Sequence, residues 1–340
     1  ASAAVSALAP PVTPGQLAAA ASALAAVGLT GVGGIVSTAG GCWAGPGSEL
    51  DALISAAPEL PIDVGVLVIA HTPDDLTRAA ERIGDAGGRL RFLGWKAFSD
   101  GSLGGHTAAM HEPFSDRPDT RGTHRLDPAW ARDMALASVR LGGRVAIHAI
   151  GDAANGAVLD VMEDLIGDGV DPALLRVEHA SVLTADDITR FGRLGVTACV
   201  QPAFLASETS WLEKRLGPER MSRTYPFRSL LDAGAPIAGS SDCPVEPPHP
   251  LWGIAAARDR AGLVPEEALD ADEAFALFTT GAATAMGADA GLSPGSPADL
   301  VVLDTDPRSA PDELRTARVL ATYVDGERVA TPDPAAAWIA

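Results

Sequence analysis

Short apolar runs rich in β-branched residues recur along the chain, separated by longer stretches in which apolar positions return every three or four residues. The short runs fall at 31–37, 62–70, 90–98, 144–149, 174–178, 196–201 and 236–240. The longer ones fall at 14–27, 73–86, 128–141, 153–166, 185–194 and 222–233. Four of these open on a side chain able to accept from the first free amides of a helix: Thr13, Thr72 and Asp127, each before a proline, and Thr184 before Ala185, Asp186 and Asp187. Regular alternation of strand and helix predicts parallel strands joined by right-handed crossovers, and so many units favour a TIM-like (β/α) barrel over an open α/β sheet.

In such a barrel the residues just after each strand open onto one face, where chemistry is housed. Lys96 with Asp100, His148 with Asp152, His179, Gln201 and Asp242 all occupy those positions. Beyond Asp242 the pattern changes to helices over 251–260 and 266–286, then strand-like segments at 299–303, 318–324 and 328–330. The turn Val324-Asp325-Gly326-Glu327 predicts a type I′ hairpin, because both central residues must tolerate positive φ. The expected division is therefore a barrel over 1–290 and a small β appendage with a loosely ordered tail over 291–340.

Composition narrows the function. With 340 residues, 47% hydrophobic and 20% charged, the chain can bury a large core, and 5% aromatic content makes that core mostly Ala, Leu and Val. A formal charge of −19 repels phosphate backbones and anionic lipid, which excludes nucleic acid as a partner. Cys42, Cys199 and Cys243 are odd in number and widely spaced, so no disulfide framework or thiolate zinc site is indicated. That cysteine usage points to a reducing, cytoplasmic setting, and since no apolar run reaches the roughly 18 residues that span a bilayer and the Ala-rich opening has no basic leader, a soluble protein without membrane contact is expected. An opening on Ala1 rather than Met suggests a start partway through a larger gene product.

His148 and His179 each end an apolar run, and two imidazoles on neighbouring barrel strands can converge on one divalent ion, zinc being the usual choice. Their bland alternative is two satisfied histidines at a barrel rim. Asp242, in a Gly/Ser-rich turn, is a candidate metal ligand and proton acceptor, or simply a turn residue bonding its own backbone. Lys96 places an amine inside an apolar run, so it must be neutralised, paired with Asp100 or Glu178, or modified; a carbamate would turn it into an anionic ligand able to bridge two metals. Asp100, His106 and Gln201 are candidate substrate contacts, with His111 beside the same Gly-rich loop. His71, His124 and His249 are expected to be solvated loop residues.

Several blocks together resemble the amidohydrolase superfamily, in particular amidohydrolase family 3 with its N-substituted formamide deformylase-like members. They are Lys96-Ala97-Phe98-Ser99-Asp100-Gly101-Ser102-Leu103-Gly104, Ile147-His148-Ala149-Ile150-Gly151-Asp152, Arg176-Val177-Glu178-His179-Ala180, Tyr225-Pro226-Phe227-Arg228-Ser229-Leu230-Leu231, Gly239-Ser240-Ser241-Asp242-Cys243-Pro244-Val245 and Pro297-Ala298-Asp299-Leu300-Val301-Val302-Leu303-Asp304. The resemblance runs from about Pro14 to Ala330. It implies a barrel with one or two metal ions that activate water against an amide-type carbon–nitrogen bond of a small substrate. Carried over by position, Lys96 matches the bridging lysine, His148 and His179 two histidine ligands, and Asp242 the aspartate that is both ligand and general acid/base.

One departure matters. The family's first barrel strand ends in Asp-x-His-x-His, and this sequence contains no His-x-His; its earliest histidine is His71. The run at 31–37 then corresponds to the second family strand, with the first strand and the N-terminal half of a β-sandwich lacking. The competing reading is a truncated barrel with an incomplete, catalytically impaired metal site, and a third is a metal-free enzyme using Lys96 as a Schiff-base amine. Assembly with copies of itself is an open expectation, and substrate identity resides in the loops 104–125 and 202–220.

Overall fold

The computed structural model describes residues 12–38 and 49–330; Cys42 and the tail expected to be loose at 331–340 lie outside them. Seven strands form one parallel sheet in sequential order: β1 (Gly31–Ser37), β2 (Asp63–Ile69), β3 (Leu90–Phe98), β4 (Arg144–Ala149), β5 (Leu175–His179), β6 (Thr197–Val200) and β7 (Ile237–Gly239). Sequential order arises because each crossover helix packs back on the same side as the last, and the sheet curls about its other face in the manner of a TIM barrel. Within the described residues, β1 and β7 are the sheet's two edges.

The outer layer follows the caps. Thr13, Thr72, Asp127 and Thr184 each accept from a backbone amide three residues on, opening the helices Pro14–Ala26, Pro73–Ala86, Pro128–Arg140 and Ala185–Leu194. Two expected helices break. Segment 222–233 becomes a helix only over Phe227–Asp232, because Tyr225 takes a φ of 51° ahead of Pro226. Segment 266–286 becomes Ala271–Ala276, a π-helical turn at Leu277–Gly281, and Ala282–Met286.

A bulge in β3 aims the key side chain. Between β2 and β3 the register steps from Val66 opposite Phe92 to Leu67 opposite Gly94, leaving one extra residue in β3. That extra residue resets the alternation. Leu93 packs with Leu67 and Ala146 on the inner face, whereas Trp95 joins the outer core, its Nε1 donating to Ala70 O at 3.1 Å and its ring meeting Trp130 edge-on. Lys96 consequently turns inward. Gly94 sits here at a φ of 150°, and a Cβ on it would lie 2.0 Å from Arg144 O, so glycine is required.

The end at which the strands begin is covered by the Ala282–Met286 helix. Arg91 donates to Met286 O at 2.8 Å and Arg176 to Ala285 O at 3.1 Å, placing cations at the negative end of the helix. The appendage is a three-stranded antiparallel sheet of β8 (Leu300–Leu303), β9 (Val319–Val324) and β10 (Glu327–Ala330), in the order β10-β9-β8. Asp325 and Gly326 have φ of 52° and 79°, as the hairpin requires. The appendage is not isolated: Thr322 Oγ1 donates to Ala25 O at 2.7 Å, joining β9 to the first helix.

Candidate active site

β4 and β5 run side by side with Ala149 opposite His179, so His148 and His179 emerge together at the strand ends. Their ring centres are 4.5 Å apart in an edge-to-face arrangement. Phe98 lies 5.3 Å from His148, and Phe204 stacks on His179 at 6.0 Å, giving the pair two apolar walls.

Hydrogen bonds fix which nitrogen each ring offers. His148 Nε2 lies 2.9 Å from Gly101 O and 3.1 Å from Asp100 Oδ1, both acceptors, so Nε2 is the donor and Nδ1 has no hydrogen-bond partner among the described residues. Gln201 Nε2 donates to Cys199 O at 3.0 Å and Ser240 Oγ at 2.8 Å, which turns its Oε1 toward His179 Nδ1 at 2.7 Å. His179 therefore donates from Nδ1 and offers Nε2. Burial, reinforced by the neighbouring His148 and Lys96, holds the His179 imidazole well below its ordinary pKa and keeps it neutral.

Asp100 and Gln201, read from the sequence as substrate contacts, are 1% exposed and face protein. Asp100 accepts from the amides of Ala109, Ile150 and Gly151 in addition to facing His148. Both residues thus orient the two histidines. His106 is placed differently: its Nε2 lies 3.1 Å from Asp116 Oδ1, and Arg215 Nε donates to the other oxygen of Asp116 at 2.9 Å. His111 and His124 line a surface groove with Asp160, Asp186 and Arg190. His249 is not the solvated residue expected: it stacks on Trp252 at 5.2 Å, and burial pushes its pKa down to about 4.

Lys96 is 2% exposed, and Nζ donates to Ala97 O at 3.1 Å and lies over the Phe98 ring. The ion pairs weighed for it do not form, because Asp100 is engaged by amides and His148, while Glu178 lies 2.6 Å from Arg176. Desolvation, only partly offset by the charge of Glu178, lowers its pKa to about 8. Asp242 has a φ of 55°, and among the described residues no donor lies within hydrogen-bond distance of its carboxylate. Burial raises its pKa against the opposing pull of Lys96, whose field reaches it across the site.

His179, Ala180, Tyr225 and Asp242 are all non-glycine residues at positive φ. Such conformations cost about 1–3 kcal/mol each and gather where function dictates geometry. Among the described residues, no three His, Cys, Asp or Glu side chains form a set that could hold an ion by themselves. What converges is two imidazoles with Lys96 and Asp242 within electrostatic reach.

The surrounding loops are clamped. Arg215 donates to Gly104 O at 3.0 Å and also to Leu103 O, while Arg220 donates to Pro113 O at 2.9 Å and Ser115 Oγ at 3.0 Å. Arg223 pairs with Asp152 at 2.9 Å. Segments 101–125 and 202–224 therefore form one roof. The short helices Phe204–Glu208, Leu212–Leu216 and Pro218–Met221 inside it were not legible as periodic patterns, since none exceeds about one turn.

The chain resembles several known proteins. It is 37% identical over 247 residues to Protein LONG AFTER FAR-RED 3 of Arabidopsis thaliana, covering 69% of this chain and 42% of that protein. It is 31% identical to N-substituted formamide deformylase of Arthrobacter pascens, covering 88% of this chain and 57% of the relative. It spans about half the length of these curated relatives. A solved structure described as an uncharacterized metal-dependent hydrolase from Pyrococcus furiosus superposes with a TM-score of 0.75 at 30% identity, covering 88% of this chain and 62% of that one. The amidohydrolase family matches residues 1–330, and the chain belongs to that family.

Proposed function

We propose that this chain carries a metal-dependent hydrolytic centre acting on an amide-type carbon–nitrogen bond of a small organic substrate. The single observation that carries the reading is the pair of facing imidazoles, each tied at one nitrogen and, among the described residues, without a partner at the other. That donor set fits a divalent ion, because ligand histidines are ordinarily held from behind by a carbonyl or carboxylate in this way. His148 Nδ1 and His179 Nε2 would hold the ion, with Lys96, unmodified or as a carbamate, and Asp242 completing the set; zinc suits these donors. When bound, the ion supplies Lewis acidity toward a carbonyl oxygen and toward water.

The chain's own residues do the rest. Asp242, with its pKa raised by burial and its carboxylate free, is suited to take a proton from the attacking water and return it to the leaving amine. Water oxygen bonds to the carbonyl carbon, the carbon–nitrogen bond breaks, and the amine leaves with the proton. Phe98 and Phe204 exclude bulk water from the histidines. The comparison supporting a carbon–nitrogen target is the N-substituted formamide deformylase relative, alongside the metal-dependent hydrolase structure.

A second reading is favoured by one observation. The described residues contain no self-sufficient set of three His, Cys, Asp or Glu ligands, which is what an impaired centre would show. Zinc-supplemented protein assayed on N-formyl and N-acyl amines distinguishes the two. The hydrolase reading expects turnover that disappears with a chelator and with His179→Ala; absence of turnover in the zinc-loaded native protein would leave the impaired centre standing.

A further inference from the structure

Helix Phe204–Glu208 forms a wall of the histidine pair, since Phe204 stacks on His179. One turn on, Glu208 accepts a hydrogen bond from Tyr225 OH at 2.6 Å through Oε2. Tyr225 is 1% exposed and sits at a φ of 51°, so the phenol is fixed and its strained backbone serves to place it. Glu208 is itself half-buried, and among the described residues no Lys, Arg or His lies within ion-pair distance of it. Arg215, a cation whose field reaches it, is spent on Asp116 and the carbonyls of Leu103 and Gly104. A half-buried carboxylate with one oxygen held by a single neutral donor and the other without a protein partner among the described residues is only partly compensated for the water it has lost. The group that would compensate it is a cation arriving from outside.

We infer that Glu208 is a specificity-determining residue, its Oε1 receiving a positively charged amine on the substrate while Tyr225 fixes the carboxyl. Phe98 and Phe204 would then line the apolar body between that amine and the scissile bond. The inference rests on the hydrolase reading for its site, and it names the substrate class: small amides bearing a second, cationic amine. Burial pushes the Glu208 carboxyl up to about 7, with Glu246 adding to the rise and Tyr225 and Arg215 opposing it. Charge recognition should accordingly strengthen as pH rises through that range, because the carboxyl is then ionised while the amine stays protonated.

The test is calorimetric binding to chelator-treated protein, so that no turnover is needed, with N-formyl-diaminobutane as the cationic probe and N-formyl-butylamine as its neutral counterpart. At about pH 8 the native chain should bind the cationic probe at least about tenfold more tightly. That preference should shrink toward about pH 6. Glu208→Gln should abolish it without changing affinity for the neutral probe. Tyr225→Phe, which keeps the ring, should displace the pH dependence upward. Equal affinities in the native protein, binding of neither probe, or a preference surviving Glu208→Gln would each overturn the assignment. A preference that is intact in protein showing no hydrolysis with zinc would count against the hydrolase reading alone.

Discussion

His148 and His179 meet edge to face with ring centres 4.5 Å apart, His148 held at Nε2 by Gly101 O and His179 at Nδ1 by Gln201 Oε1. The contrast in which nitrogen is tied leaves two different lone pairs, Nδ1 on one ring and Nε2 on the other. An ion between them would meet two imidazoles whose orientation is already fixed.

Gln201→Leu removes the acceptor behind His179 while keeping the side chain's bulk. Zinc affinity, measured by dialysis with metal analysis, is expected to fall about 10–100-fold, the usual effect of losing such a partner. Unchanged affinity would show that His179 does not act as a ligand.

Lys96→Met separates a structural amine from a functional one. The folded pKa of about 8 lies below the ordinary lysine value of 10.5, so the unfolded chain binds more protons between these limits. The resulting penalty, on the order of 3 kcal/mol, is fully present below about pH 8 and relieved as pH rises toward 10.5. Metal-free Lys96→Met should thus be more stable than the native chain in urea at about pH 7, by up to that amount, with the gain shrinking at alkaline pH. Its zinc affinity should fall. Loss of stability instead would mark Lys96 as structural.

Gly94→Ala places a Cβ where Arg144 O already lies, at a φ that side chains rarely adopt. A cost of about 3 kcal/mol or more is expected by denaturant unfolding. Gly84→Ala, in the helix Pro73–Ala86 with open space around it, should be neutral or stabilising by about 0.5–1 kcal/mol. Equal responses at the two positions would refute the bulge as the element that aims Lys96.

Arg215→Ala and Arg220→Ala cut the clamps between segments 101–125 and 202–224. Limited proteolysis should then start within these segments at least several-fold faster than in the native chain, as local opening becomes easier. Cleavage beginning elsewhere would mean that the roof is held by other contacts.

Much of this architecture was legible in residue order. Strand and helix periodicity, four side-chain caps and the Asp325-Gly326 turn are local features, written within a few residues of where they act. The placement of His148, His179 and Asp242 at strand ends followed from the same periodicity. Where local preference met longer-range demands it failed: Tyr225 broke an expected helix, and short helices in the roof left no periodic trace.

Pairing across the fold was beyond such reading. Whether Lys96 meets Asp100 or Glu178, whether Asp100 and Gln201 face substrate or histidine, and which cation remains for Glu208 depend on a competition among partners up to more than a hundred residues apart. Electrostatic and hydrogen-bond partners are chosen by distance and burial in space, and neither is encoded in the spacing of one segment. The β3 bulge makes the point most sharply: one extra residue opposite β2 turns Lys96 inward, and its need for glycine exists because Arg144 O arrives from a neighbouring strand.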